Sequence, residues 1–251
     1  MKGKIKFLLA GESWVSSSTH FKGWDFFSST VYETGINYLD KVFVNTEIDF
    51  FHMPSHIAAE EFPMTMESLS EFDVVCLSDI GANTLLLHPD TWGKGKSIPN
   101  RLKLLAEWVR SGGGLMMCGG YYSFSGIYGA AKYYRTPVES ILPVDIYTFD
   151  DRIETPEGGK PIVLKSNHPI VEGMGDNWPY LLGFNELKLK PNAELLVEIL
   201  DYPLLSVMQV EKGRTLAWAS DIGPHWCPTE FAEWSGYQKL WINAVRWLAN
   251  R

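Results

Sequence analysis

Four short apolar runs, each ended by glycine or a polar turn, constrain this chain more than any other feature. They are KIKFLLAG (Lys4–Gly11), TEIDFFHM (Thr46–Met53), FDVVCLSDIGAN (Phe72–Asn83) and LMMCGG (Leu115–Gly120). Runs of this length bounded by turn residues are the pattern of strands buried on both faces. Between the third and fourth, Leu102, Leu105 and Val109, with Leu104 and Trp108 beside them, give Arg101–Arg110 one apolar face, and Gly112–Gly114 stop it. Between the first and second, Val31, Gly35, Tyr38 and Val42, joined by Ile36, Leu39 and Phe43, recur at helical spacing. The spacing predicts a helix from Val31 to Val44, capped by Ser28 or Ser29 after a polar loop. Strands alternating with helices call for a mostly parallel sheet, because each crossover must bury its helix against the sheet.

Beyond about Pro143 the texture changes to short strand-like runs separated by Gly and Pro turns, a β-rich half. Helix returns only at the end, where Tyr237, Leu240, Trp241, Ala244, Val245 and Leu248 recur at steps of three and four. The chain shows no internal repeat, low-complexity tract or linker, so residues 1–251 are expected to form a single α/β domain.

A net charge of -8 without clustered Lys and Arg argues against nucleic acid and leaves a small-molecule substrate or ligand as the expected partner. The ten Trp residues also suit the interface of a homo-oligomer. Three cysteines and no Cys-x-x-Cys pair give neither a disulfide framework nor a structural zinc site, which fits a reducing cytoplasm. The opening segment has too few apolar residues before Gly11 for a secretory signal, and no run approaches a membrane span. No cofactor and no metal are expected, since no spacing matches a metal motif.

In parallel sheets ligands sit beyond the carboxyl ends of the strands. That edge collects Gly11, Glu12 and Trp14, the Ser78–Asn83 turn, and Cys118 to Ser125. The tetrapeptide SDIG occurs twice, at Ser78–Gly81 and Ser220–Gly223, so Asp79 and Asp221 are expected to face one cleft or to cap turns. His225 and Trp226 follow in a Pro-rich aromatic loop, Tyr121 and Ser123 form a hydroxyl-bearing wall after Gly119 and Gly120, and His20 lies in the polar loop after the first strand. Cys118 has two readings, a nucleophile at a sharp turn or a small core hydrophobe at a strand end. Cys76 reads as core, and His168, before a proline, as architectural.

The stretch GGGLMMCGG, with the downstream NHPIVEGM and GRTLAWASDIGPHW, resembles the class I glutamine amidotransferase-like superfamily over nearly the whole chain. The likeness is greatest to its branch named "putative glutamine amidotransferase", whose start resembles GESWVSSSTHFKGWDFFSSTVYETG, and to trehalose-utilisation-protein-like domains. The resemblance implies a flavodoxin-like three-layer αβα sandwich. It also implies an amidohydrolase in which Cys118 attacks a carbonyl, His225 oriented by Asp221 or Glu230 moves the proton, and N–H groups at Gly119 and Gly120, with Gly11 or Gly81, hold the oxyanion. This sequence departs from the pattern twice. Met116 stands where the Gly-x-Cys-x-Gly turn has its first glycine, and the late His-x-Glu pair is missing. Aligned by strand length, Gly119 rather than Cys118 falls at the nucleophile position, which leaves a non-catalytic binding relative, for instance for a carbohydrate, as the second expectation.

Overall fold

The computed structural model describes residues 3–251. The first apolar run is β1 (Ile5–Gly11), followed by a hairpin of β2 (Ser13–Lys22) and β3 (Asp25–Thr34). A short helix α1 (Leu39–Val42) leads to β4 (Ile48–Met53), and α2 (Ser55–Glu61) and α3 (Met66–Leu69) lead to β5 (Val74–Ser78). After α4 (Ala82–Leu86) and α5 (Pro89–Lys94) come α6 (Arg101–Arg110) and β6 (Gly114–Cys118). Eight further strands follow: β7 (Val144–Ile146), β8 (Arg152–Gly159), β9 (Pro161–Val163), β10 (Leu181–Asn185), β11 (Leu187–Leu189), β12 (Glu194–Ile199), β13 (Tyr202–Val210) and β14 (Gly213–Trp218). The chain closes with α7 (Thr229–Ala232) and α8 (Ser235–Leu248).

The central sheet has eight strands in the order β4-β1-β5-β6-β14-β13-β12-β9. From β4 to β14 all neighbours are parallel, whereas β13, β12 and β9 continue the sheet antiparallel. The chain leaves β1 toward β4 on one side and returns to β5 on the other, so the topological switch point lies between the carboxyl ends of β1 and β5.

Helix α6 forms over the segment its periodicity marks out. Asn100 caps it, its side chain accepting the Lys103 N–H at 3.0 Å, and Leu102, Leu105 and Val109 are buried. Its first residue, Arg101, is buried too, because its guanidinium donates to the carbonyls of Leu85, Ala58, Ala59 and Thr84 at 2.6–3.1 Å. A buried cation survives when its donors are satisfied in this way. Helix α8 buries the six residues its spacing singles out, and Trp241 meets Trp218 of β14 edge-on at 5.7 Å. Each fully buried large apolar side chain there contributes about 1.5–3 kcal/mol. Among the described residues no helix is long and apolar enough to cross a membrane.

The first forty residues depart from the sequence-based expectation. In place of a polar loop and a helix from Val31 to Val44, the chain forms the β2–β3 hairpin, and helix is confined to Leu39–Val42. Lys22 pairs with Asp25 around a two-residue loop in which Gly23 takes φ +70. Flanking residues rich in Ser, Thr, Val and aromatics favour extended backbone over helix. The spacing Val31, Gly35, Tyr38, Val42 is therefore coincidental over its first half.

Candidate functional site

The carboxyl ends of β1, β5 and β14 deliver three acidic side chains to one cleft. Glu12 follows β1, Asp79 follows β5, and Asp221 lies just beyond β14. Trp14, Tyr121, Gly223, Pro224 and His225 complete the lining of a cavity of about 230 Å3. Glu12 and Asp79 both adopt left-handed backbone conformations, φ 48 and 44. Such conformations are rare for residues with a Cβ and cluster where a side chain must be aimed. Here they turn two carboxyl groups into the switch-point crevice.

Gly120 sits between two of these groups. A Cβ on it would stand 3.0 Å from Oδ1 of both Asp79 and Asp221, and its φ is +138. Only glycine lets the turn after β6 pass under the carboxyl pair. Asn185 holds that turn: its Oδ1 accepts the Gly120 N–H at 3.0 Å, and its Nδ2 donates to Asp151 Oδ1 at 2.8 Å. Asp151 in turn accepts the N–H groups of Ser125 and Gly126 at 2.9 and 2.8 Å. Burial pushes the Asp151 carboxyl up to about 6 despite these bonds.

Electrostatics follow from crowding. Glu12 is 6% exposed, and burial, reinforced by Asp79 and Asp221, holds its carboxyl well above the usual range, although the Ser78 hydroxyl donates to it. Burial also pushes Asp79 up to about 6, with the Tyr122 N–H at 2.7 Å acting against the shift and Asp221 adding to it. Asp221 is raised by burial, partly offset by His225. His225 Nδ1 lies 2.9 Å from Asp221 Oδ2, and that bond raises the imidazole. The pairing fixes the ring and leaves Nε2 as the nitrogen free for a ligand. Tyr121 meets the imidazole edge-on at 4.6 Å and donates its hydroxyl to Glu154 at 3.0 Å.

Of the residues singled out from sequence, Glu12, Trp14, Asp79, Tyr121, Asp221 and His225 line the cleft together. Gly120 lies beneath it, and two others support it from behind. Ser123 Oγ accepts the Asp79 N–H at 3.1 Å, and buried Trp226 donates its N–H to Asp221 at 2.9 Å and its indole N–H to Glu154 at 2.9 Å. Gly11 ends β1, its carbonyl 2.9 Å from His52 Nε2. His20 stands apart on the hairpin, stacked on Phe27 at 4.7 Å.

Cys118 is not where a nucleophile belongs. Its side chain is fully buried, its sulfur 3.8 Å from Cys76 Sγ, and it is no part of the cleft lining. Burial, then the neighbouring Cys76, holds the thiol well above its ordinary value, the opposite of what an attacking thiolate needs. The oxyanion donors fail as well. The Gly119 N–H is taken by the Trp218 carbonyl at 2.7 Å and the Gly120 N–H by Asn185. The register that makes Cys118 the last inward-facing residue of β6 is the one that fits. Gly223 of the lining closes the second SDIG and Pro224 follows it, whereas Asp151 and Asn185 behind the turn carry no local sequence pattern that would mark them.

A family model described as "Putative glutamine amidotransferase" matches residues 6–250. Two cytoplasmic proteins of Salmonella typhimurium share the architecture over their whole length. STM1381 is 41% identical with TM-score 0.93, and STM3548 is 37% identical with TM-score 0.94, each match covering 97% of this chain and 99% of the other. A ThuA-like protein from Parabacteroides merdae is 13% identical with TM-score 0.52, covering 98% of this chain and 90% of that one, a likeness of fold alone. No curated protein matches the sequence. The extent of the family match and of these two relatives shows that the chain belongs to this glutamine amidotransferase-like family.

Proposed function

We propose that the cleft binds a small polyhydroxylated molecule, of the carbohydrate class, and that His225 held by Asp221 is its proton-handling group. The observation that carries this reading is the composition of the lining. Three carboxyl groups and one imidazole stand between the aromatic walls of Trp14 and Tyr121, with neither a thiol nor a Lys or Arg among them. Carboxylates and imidazole accept hydroxyl donors, while aromatic faces cover the apolar side of a sugar ring. A free amino-acid carboxylate would meet like charge there and find no Lys or Arg, with the one imidazole already bonded to Asp221, which weighs against glutamine as the ligand. Glutamine hydrolysis through Cys118 lacks support for the reasons of burial and basicity given above.

The same reading takes residues 1–251 as one domain with a flavodoxin-like three-layer arrangement. In its favour, strands from both halves of the chain share one sheet, and α1 packs with α8 while α4 packs with both α2 and α6. A cytoplasmic setting agrees with the names of the two Salmonella proteins. Nucleic acid and membrane are not partners in this account, on charge and composition.

The test is saturation-transfer NMR with a panel of neutral sugars, amino sugars and glutamine. Binding of a sugar that is lost in His225→Ala and kept in Cys118→Ala supports the proposal. Binding of glutamine alone overturns it.

A further inference from the structure

The β2–β3 hairpin projects with both faces open to solvent. From Trp14 to Glu33 every residue but Ser16 is exposed, and Trp24 at the tip is fully so. Phe21 is 76% exposed, Phe26 67% and Phe27 50%, with Val15, Val31 and Tyr32 exposed on the shaft. The hairpin forms a sheet of its own, joined to no other strand among the described residues, so the outer edges of β2 and β3 are unpaired there. A two-stranded hairpin without cover is marginal in water, and free edges invite pairing. Its ten-residue strands extend about 34 Å from the body.

We infer that this arm is a dimerisation element whose occupant is a second copy of the chain. Area argues for it. Cross-strand pairs share a face, so Phe21, Phe26, Val15 and Tyr32 stand on one side of the hairpin and Trp14 and Phe27 on the other, with Trp24 at the tip. At about 150–250 Å2 for each fully exposed aromatic side chain, Phe21, Phe26, Tyr32 and Trp24 leave on the order of 600 Å2 uncovered. That is at the upper end of the roughly 300–600 Å2 of the largest apolar patch on an ordinary monomer. It is the greater part of the contribution of about 800 Å2 that each partner makes to a standard-size interface, so two arms meeting by this face in an isologous contact supply most of it. Charge agrees. The whole chain carries a net -8, which opposes self-association, but Ser13–Phe21 and Phe26–Tyr32 contain no Asp, Glu, Lys or Arg, and the arm is where two copies approach at least electrostatic cost.

The contact also reaches the cleft. Trp14 at the base of the arm lines the cavity, and its indole N–H donates to Glu33 of the facing strand at 3.1 Å, so an arm fixed by a partner fixes one wall of the site. The dimer inference does not depend on the identity of the ligand.

Sedimentation velocity of the full chain tests it, with two variants: Phe21→Ser combined with Phe26→Ser, and Trp24→Ser alone. The expected result is a wild-type dimer at micromolar concentration and a dimer Kd raised on the order of 100-fold in the double variant, since buried aromatic anchors dominate such interfaces. Amide hydrogen exchange should show residues 13–34 protected at high concentration and exposed on dilution, a signature that a misfolded variant would not mimic in the wild type. A monomeric wild type, or a dimer unaffected by both variants, overturns the inference.

Discussion

Cys118 and Cys76 hold their sulfurs 3.8 Å apart inside the sheet, on adjacent parallel strands β6 and β5. That pairing removes from the cleft the one thiol that the amidotransferase pattern would put to work. It predicts that Cys118→Ala is a packing change and nothing more. The cost is about 1 kcal/mol in unfolding free energy, measured by urea titration, with ligand binding in the cleft unaltered.

Asp79 should make the protein more stable when removed. Its folded-state carboxyl is pushed up to about 6 by burial, above the unfolded value near 4, so the folded chain holds this proton more tightly. Its contribution is present below the unfolded value and lost as pH rises through about 6. Asp79→Asn, whose side-chain oxygen still accepts the Tyr122 N–H, should match the wild type near pH 4. By pH 7 it should exceed it by on the order of 1 kcal/mol. Unfolding curves of both proteins at several pH values check the sign; a variant equally stable or weaker at pH 7 contradicts it.

Asn185→Leu should be the most damaging single change behind the site. It strands the Gly120 N–H and removes a donor from buried Asp151, at a cost of about 3 kcal/mol. Ligand affinity should fall with it, because the turn that passes under Asp79 and Asp221 loses its anchor. Thermal unfolding and a binding isotherm on the same sample measure both.

His225→Gln should weaken sugar binding by about tenfold to a hundredfold without comparable loss of stability, since the ring is half exposed and its loss breaks one charge-assisted hydrogen bond. Calorimetric titration gives the ratio directly.

The sequence was most legible where one physical pattern acted alone. Arg101–Arg110 and the last helix show a single apolar stripe between clear stops, and both form where the stripe lies. Glu12, Asp79 and Asp221 were legible through the rule that parallel strands present their carboxyl ends to ligands, and the repeated SDIG marked two of them. The hairpin was not, because an arm exposed on both faces shows no buried-face alternation, and Val31, Tyr38 and Val42 imitate a helix across the break at Gly35. Cys118 turned on one residue of register, which side-chain direction settles and spacing does not. Asp151 and Asn185 come from segments remote in sequence, and only the folded chain brings them to Gly120.

The most direct test of the thiol-free cleft is peptide mapping by mass spectrometry after the folded protein meets a glutamine-derived chloroketone at neutral pH. The account predicts no adduct on Cys118 until the protein is unfolded. Rapid, stoichiometric modification of Cys118 in the native state would contradict it.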